Sequence, residues 1–220
     1  MLKVRNLSVL HTPSTALSEI SLTAGRGEVV GLIGPEDSGA SLLLRTISTP
    51  DSNYQGDVIV SHYKARTEPD RVRLMIGALL QPFQPPLHLT GFEYLELVGT
   101  FYGLTPGERA SRIIALAELL NCSRSIYGVM ERVSVAVRQK VGLMASVLIN
   151  PPVVIWDEPT LHLDPDGQQR LRTLLAELRT NGASILMTSN DLGLVEETAS
   201  TIILVKSVRV VAVGSLSELG

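Results

Sequence analysis

The apolar positions change period twice along the chain. Short strand-like runs occupy 2–10 and 19–23, a Gly25-Arg26-Gly27-Glu28 turn follows, and Val29–Ile33 is an unbroken apolar run. Unbroken rather than alternating apolarity predicts a strand covered on both faces, as in a parallel sheet. A glycine-bearing loop at 34–39 then opens a helix over 41–47, and strands are expected at 57–61 and 73–79. From 87 to 149 the period becomes helical. Thr90 with Glu93 and Thr105 with Glu108 have capping-box spacing, Pro106 takes a first helical position, and Ile113, Ile114, Ala117 and Leu120 form one apolar face. An all-helical stretch inside an α/β chain predicts an inserted helical subdomain at 87–149 within a single domain spanning 1–220. Strand character returns at 153–157, 183–189, 201–205 and 209–213. Between these lie a charged helix, starting near Asp164 and Pro165 and ending before Gly182, and a second helix over 192–199.

Charge narrows the partners. With 19 basic and 22 acidic residues the formal charge is -3, which predicts no nucleic-acid partner. Mean hydropathy is +0.23, high for a chain that meets only water. No run reaches the roughly 18 apolar residues of a membrane-spanning helix; the stretch 141–156 is cut by Asn150, Pro151 and Pro152. The start lacks the apolar core of a secretory signal, so the cytosolic side is expected. The single cysteine, Cys122, reads as a buried thiol.

Two features carry phosphate chemistry. The Val29–Ile33 run empties into a glycine loop that opens a helix, where backbone N–H groups and the helix N-terminus can hold phosphate. Far downstream, the apolar run at 153–156 ends in Asp157-Glu158, carboxylates placed where a hydrated Mg²⁺ and an attacking water could be managed. An apolar strand ending in two acids is a weak signal alone. Taken with IGPEDSGASLL at 33–43, Gln81 after an apolar strand, SVAVRQKVGLMASVLINPPVVIWDEPTLHLDP at 134–165 and LMTSND at 186–191, it closely resembles the nucleotide-binding domain of ABC transporters.

That resemblance covers essentially the whole chain. It implies a P-loop NTPase fold with a RecA-like parallel core, a small antiparallel β layer from strands at the two ends of the chain, and the helical insert. It also implies head-to-tail pairing of two such domains around ATP. By resemblance Gly34, Gly39, Ala40 and Ser41 occupy the phosphate loop, His11 the adenine-stacking position and Ser134 the signature position. Ser41, Gln81 and Asp157 take the Mg²⁺ positions, Glu158 that of the general base, Asn190 that of the switch histidine, and Asp164 that of the cross-dimer loop. On the residues alone, His11 also reads as a surface histidine, Gln81 as a polar loop residue, and Ser134 and Asp164 as helix caps.

The departures shape the functional expectation. In GxxxxGK[ST] the lysine reaches the β- and γ-phosphates; here that position is Ala40, and Glu36-Asp37 precede it. Relative to a loop whose one charge is the lysine, the change is from +1 to -2, three charges in the anionic direction. At about 4 Å and an effective dielectric constant of about 20, one such interaction is on the order of 4 kcal/mol as a ceiling. Val133-Ser134-Val135-Ala136-Val137 stands where the family has Leu-Ser-Gly-Gly-Gln, so both glycines are gone, and Asn190 replaces the histidine. The expectation is a subunit with no high-affinity cofactor, Mg-ATP being weakly bound or supplied by a partner. It would be non-hydrolysing or very weakly active, with Glu158 idle. Its expected partners are a competent ABC ATPase subunit and polytopic membrane subunits that contact the Gln81 loop and the 90–102 helix, where Phe92 and Tyr94 are the expected exposed anchors. Its place would be peripheral, at the cytoplasmic face of the membrane. The alternatives are a weak genuine ABC ATPase and a scaffold or regulatory subunit.

Overall fold

A computed structural model describes residues 1–12, 15–49, 54–207, 209–215 and 218. Its centre is a six-stranded sheet of β3 (Val29–Ile33), β6 (Ile76–Leu79), β7 (Val153–Asp157), β8 (Ser184–Thr188), β9 (Thr201–Lys206) and β10 (Arg209–Gly214). The strand order is β10-β9-β3-β8-β7-β6, parallel throughout except for β10, which pairs antiparallel with β9. The unbroken apolar runs have the expected cause. Within β7, Val153 and Ile155 enter one buried cluster while Val154 and Trp156 enter the other, and β8 divides in the same way at Leu186 against Ile185 and Met187. Successive side chains point to opposite faces, and both faces are covered.

On one face lies α1 (Ala40–Ser48) together with a second, four-stranded antiparallel sheet. That sheet has the order β2-β1-β4-β5, built from β1 (Leu2–Thr12), β2 (Thr15–Ala24), β4 (Tyr54–Val60) and β5 (Tyr63–Lys64). The antiparallel layer therefore exists, but the strands at the C-terminal end of the chain are not in it. Ile202, Ile203 and Val205 of β9 are buried, and the strand pairs in parallel with β3, so β9 and its hairpin partner β10 extend the main sheet instead. A short helix, α2 (Pro69–Arg73), occupies the start of the strand expected at 73–79.

The other face carries α3 (Gly91–Phe101), α4 (Pro106–Leu119), α5 (Val135–Val147) and α6 (Pro165–Thr180); α7 (Leu192–Thr198) leads from β8 into β9. Thr90 and Thr105 form complete capping boxes with Glu93 and Glu108. Ile113, Ala117 and Leu120 of the α4 region are buried, while Ile114 stays 49% exposed because a one-residue step rotates it about 100° off that stripe. α5 is buried nearly all round, and its Ser146 accepts the Trp156 indole N–H at 2.8 Å. β6 approaches α5 so closely that a side chain at Gly77 would meet the Ser146 carbonyl.

Candidate functional site

At the carboxyl ends of β3, β7 and β8, where parallel sheets carry their ligands, lies a cleft of about 420 Å³. Gly34 begins one wall; a Cβ there would collide with the Val205 carbonyl and with Ser38. The loop continues through a 3-10 turn, Glu36–Ser38, to Gly39 at φ 89°, which opens α1. Two donors of this loop are already used within it: Ser38 N–H reaches the Pro35 carbonyl at 2.8 Å, and Ala40 N–H reaches Ser38 Oγ at 3.3 Å. Ala40 is buried, belongs to the apolar cluster on that face of the sheet and adjoins the cleft, bringing no charge to it.

Asp157 is the hub. It is 2% exposed, and its Oδ1 accepts the Ser41 hydroxyl at 2.9 Å and the Thr188 hydroxyl at 2.6 Å. Gln81 N–H lies 3.5 Å from Oδ2. Thr188 follows from register, since it is paired with Asp157 across β7 and β8; its hydroxyl also accepts Glu158 N–H at 3.0 Å. Glu158 has a left-handed backbone, φ 47°, and its Oε2 accepts the main-chain N–H of Asn190 at 3.1 Å. Asn190 thus meets the acid through its backbone.

Gln81 lines the cleft beside Ser41 and Asp157. Its side-chain amide donates to Gln139 Oε1 at 3.1 Å and accepts Phe83 N–H at 3.1 Å, so both amide atoms have protein partners. Buried Gln139 passes the link on, donating to the carbonyls of Glu158 and Pro159 at 3.2 Å each. Neither Thr188 nor Gln139 was singled out by the sequence. A polar side chain at the end of an apolar strand, or on a helix buried all round, was the available signal.

Among the described residues the cleft brings together Gly34, Ala40, Ser41, Gln81, Asp157, Glu158 and Asn190, with Gly39 behind them at the start of α1. Ser134 lies outside the lining and caps α5 by accepting Val137 N–H at 3.3 Å. Asp164 caps α6, accepting Gly167 N–H at 2.9 Å. The side chain of His11 lies outside the described residues. No group of three or more His, Cys, Asp or Glu suited to a metal ion occurs among the described residues.

A strand, a glycine loop and a helix set before a buried aspartate on a nearby parallel strand define a P-loop nucleotide-binding fold with a RecA-like core. The chain belongs to the ABC transporter family, whose sequence profile, described as ABC transporter, matches residues 17–161; a profile of an AAA domain matches 131–196. The linearmycin resistance ATP-binding protein LnrL of Bacillus subtilis is 26% identical over all of this chain and 70% of its own length. The lantibiotic transport ATP-binding protein SrtF of Streptococcus pyogenes is 28% identical over 92% of this chain and 85% of its own. Among solved structures, an ATP binding subunit of an ABC transporter superposes with a TM-score of 0.91 at 27% identity, covering 100% of this chain and 91% of that one.

Proposed function

We propose that this ABC transporter ATP-binding subunit is non-hydrolysing or very weakly active, and that it pairs with a competent ATPase subunit and with polytopic membrane subunits at the cytoplasmic face of the membrane. One observation carries the reading: the described residues lining the cleft include the carboxylates Asp157 and Glu158 but no lysine or arginine. Ser41 and Asp157, already hydrogen-bonded to each other, are a donor set suited to a hydrated Mg²⁺ ion. The β- and γ-phosphates are not matched in the same way, because the position that would meet them offers the methyl of Ala40. A charge-assisted hydrogen bond is worth about 1.5–3 kcal/mol, so its loss alone lowers affinity roughly 10- to 150-fold. Mg-ATP, when bound, supplies the phosphoanhydride whose hydrolysis drives transport. In this chain Glu158 is turned to ordering the Asn190 main chain, and Asp157 to fastening α1 and β8 together.

The membrane partner is proposed for the exposed side of α3. Leu97 is 51% exposed, Phe101 87% and Tyr102 38%, and Tyr102 adjoins a cavity of about 170 Å³ between α3, α5 and the edge strand β6. Phe92 and Tyr94, the anchors expected from the sequence, are instead half-buried: Phe92 stacks on Tyr127 with ring centroids 5.2 Å apart, and Tyr94 packs near Phe83. No helix among the described residues is long and apolar enough to cross a membrane. The test is to purify the assembled complex and to replace the catalytic glutamate of each ATPase subunit in turn. Turnover should survive Glu158→Gln here and vanish with the same change in the partner; loss with Glu158→Gln would overturn the reading.

A further inference from the structure

We infer that the pole of the domain opposite the glycine-loop cleft holds a binding site for an aliphatic carboxylate, with Arg26 as its anion contact. At the amino-terminal ends of β3, β7 and β8 lies a cavity of about 720 Å³, larger than the cleft at the other pole. Its size falls in the range of about 300–1,000 Å³ usual for small-molecule sites. Four separate connections bring polar side chains to it: Arg26 from the turn before β3, Ser61 from the turn after β4, Asn150 from beyond α5 and Asn181 from the end of α6. The backbone of three of these is fixed, by Ser61 N–H on the Met1 carbonyl at 2.8 Å, Asn150 N–H on the Val147 carbonyl at 2.9 Å and Asn181 N–H on the Glu177 carbonyl at 2.9 Å. Their side chains, and the Arg26 guanidinium, make no hydrogen bond or ion pair with a described residue. Packing positions Arg26: its side chain lies across Gly182, φ 83°, where a Cβ would collide with Nε, and Gly27 N–H ties the same turn to the Ala183 carbonyl at 3.2 Å.

The charge of the ligand follows from the wall. No acidic side chain occurs among the described lining residues, so the guanidinium faces the cavity without a counter-ion. Its planar fork matches the two oxygens of a carboxylate, and the Asn150 and Asn181 amides add neutral donors. The carboxyl-terminal ends of α5 and α6 lie at this pole, and their partial negative charge disfavours a dianion such as phosphate. The body of the ligand follows from what adjoins the cavity. Asn150, Leu178 and Asn181 also line a second cleft, of about 160 Å³, between α4, α5 and α6. Leu116, Val147, Leu148 and Leu174 make its walls apolar, and its two charged residues, Arg112 and Glu177, are of opposite sign. A carboxylate seated on Arg26 thus has an apolar course for its chain, over Leu178 and into the second cleft.

The probe is octanoate, titrated into the full chain and followed by NMR on the main-chain amides of Asn150, Leu174 and Gly182 at this pole and of Ser41 and Asn190 at the other. The expected result is a saturable shift of the first three with a millimolar midpoint, while Ser41 and Asn190 stay still. Octanol, which has the chain without the charge, should bind at least about tenfold more weakly. Butanoate, which has the charge with four fewer methylenes, should also bind more weakly, by up to about fourfold for each methylene lost from the apolar cleft. Arg26→Leu and Arg26→Gln should each weaken octanoate at least about tenfold. Both should keep the melting temperature of the unmodified chain, since the Arg26 side chain is exposed and bonds to no described residue. No saturable shift, octanol binding as tightly as octanoate, unchanged affinity in both Arg26 variants, or shifts centred on Ser41 and Asn190 would overturn the site. Butanoate binding as tightly as octanoate, or inorganic phosphate more tightly, would overturn the ligand class.

Discussion

Replacing Asp157 by alanine should unfold the protein more easily with no nucleotide in solution, and the size of the effect decides whether this acid serves the fold. Its Oδ1 accepts hydroxyl protons from Ser41 at 2.9 Å and Thr188 at 2.6 Å in a position only 2% exposed. Each charge-assisted bond is worth about 1.5–3 kcal/mol. Against them stands the cost of keeping a carboxylate out of water, several kcal/mol for an ion without partners. Ser41 is exposed and recovers part of its loss by hydrogen-bonding water, whereas the Thr188 hydroxyl is buried and does not. Weighing these, Asp157→Ala should cost about 2–4 kcal/mol, or roughly 4–16 °C in Tm for a chain of this size. Asp157→Asn keeps an acceptor oxygen and should cost about 1 kcal/mol. Urea unfolding followed by the fluorescence of Trp156, the single tryptophan, reads both. An alanine variant as stable as the unmodified protein, or more so, would show that desolvation dominates and that the fold gains nothing from this carboxylate.

Three further outcomes are expected. Ala40→Lys should tighten Mg-ATP binding by about 1–2 kcal/mol in calorimetry without producing turnover, because Glu36, Asp37, Val135, Ala136 and Asn190 remain; rapid phosphate release abolished by adding Glu158→Gln would contradict this. Phe101→Glu should abolish co-purification with the membrane subunits and leave Tm nearly unchanged, since that ring is 87% exposed; a retained complex, or a fall in Tm, would remove α3 from the interface. Hydrogen bonds from the Thr90 main chain and hydroxyl hold Glu93 below its ordinary 4.5, and the Thr105 hydroxyl and main chain do the same for Glu108. These depressed carboxyls stabilise the helical region above pH 4.5 and lose that contribution as pH falls through their folded values, so Glu93→Gln with Glu108→Gln should flatten the acid limb of stability measured between pH 3 and 6.

Local rules made much of this molecule legible. Continuous apolarity marked β3 and β7, and the Thr-x-x-Glu spacings and Asp164 marked helix starts that the structure contains. What the sequence hid depends on distant pairing. The resemblance placed β9 and β10 in the antiparallel layer, whereas β9 pairs on both sides, with β3 and β10, in the main sheet, and nothing local in its sequence tells the two sheets apart. Phe92 was expected to be exposed because its partner, Tyr127, is 35 residues away and unrelated by any helical period. The glycine loop, Ser41, Asp157 and Glu158 were visible as motif positions. Thr188 and Gln139 joined them through register and burial.

We propose that the cleft lacks the charge to hold a triphosphate, and calorimetric titration of Mg-ATP into the isolated chain, with phosphate release measured on the same preparation, decides it. A Kd no tighter than millimolar and turnover at background are expected. A micromolar Kd, or hydrolysis that Glu158→Gln abolishes, would contradict it.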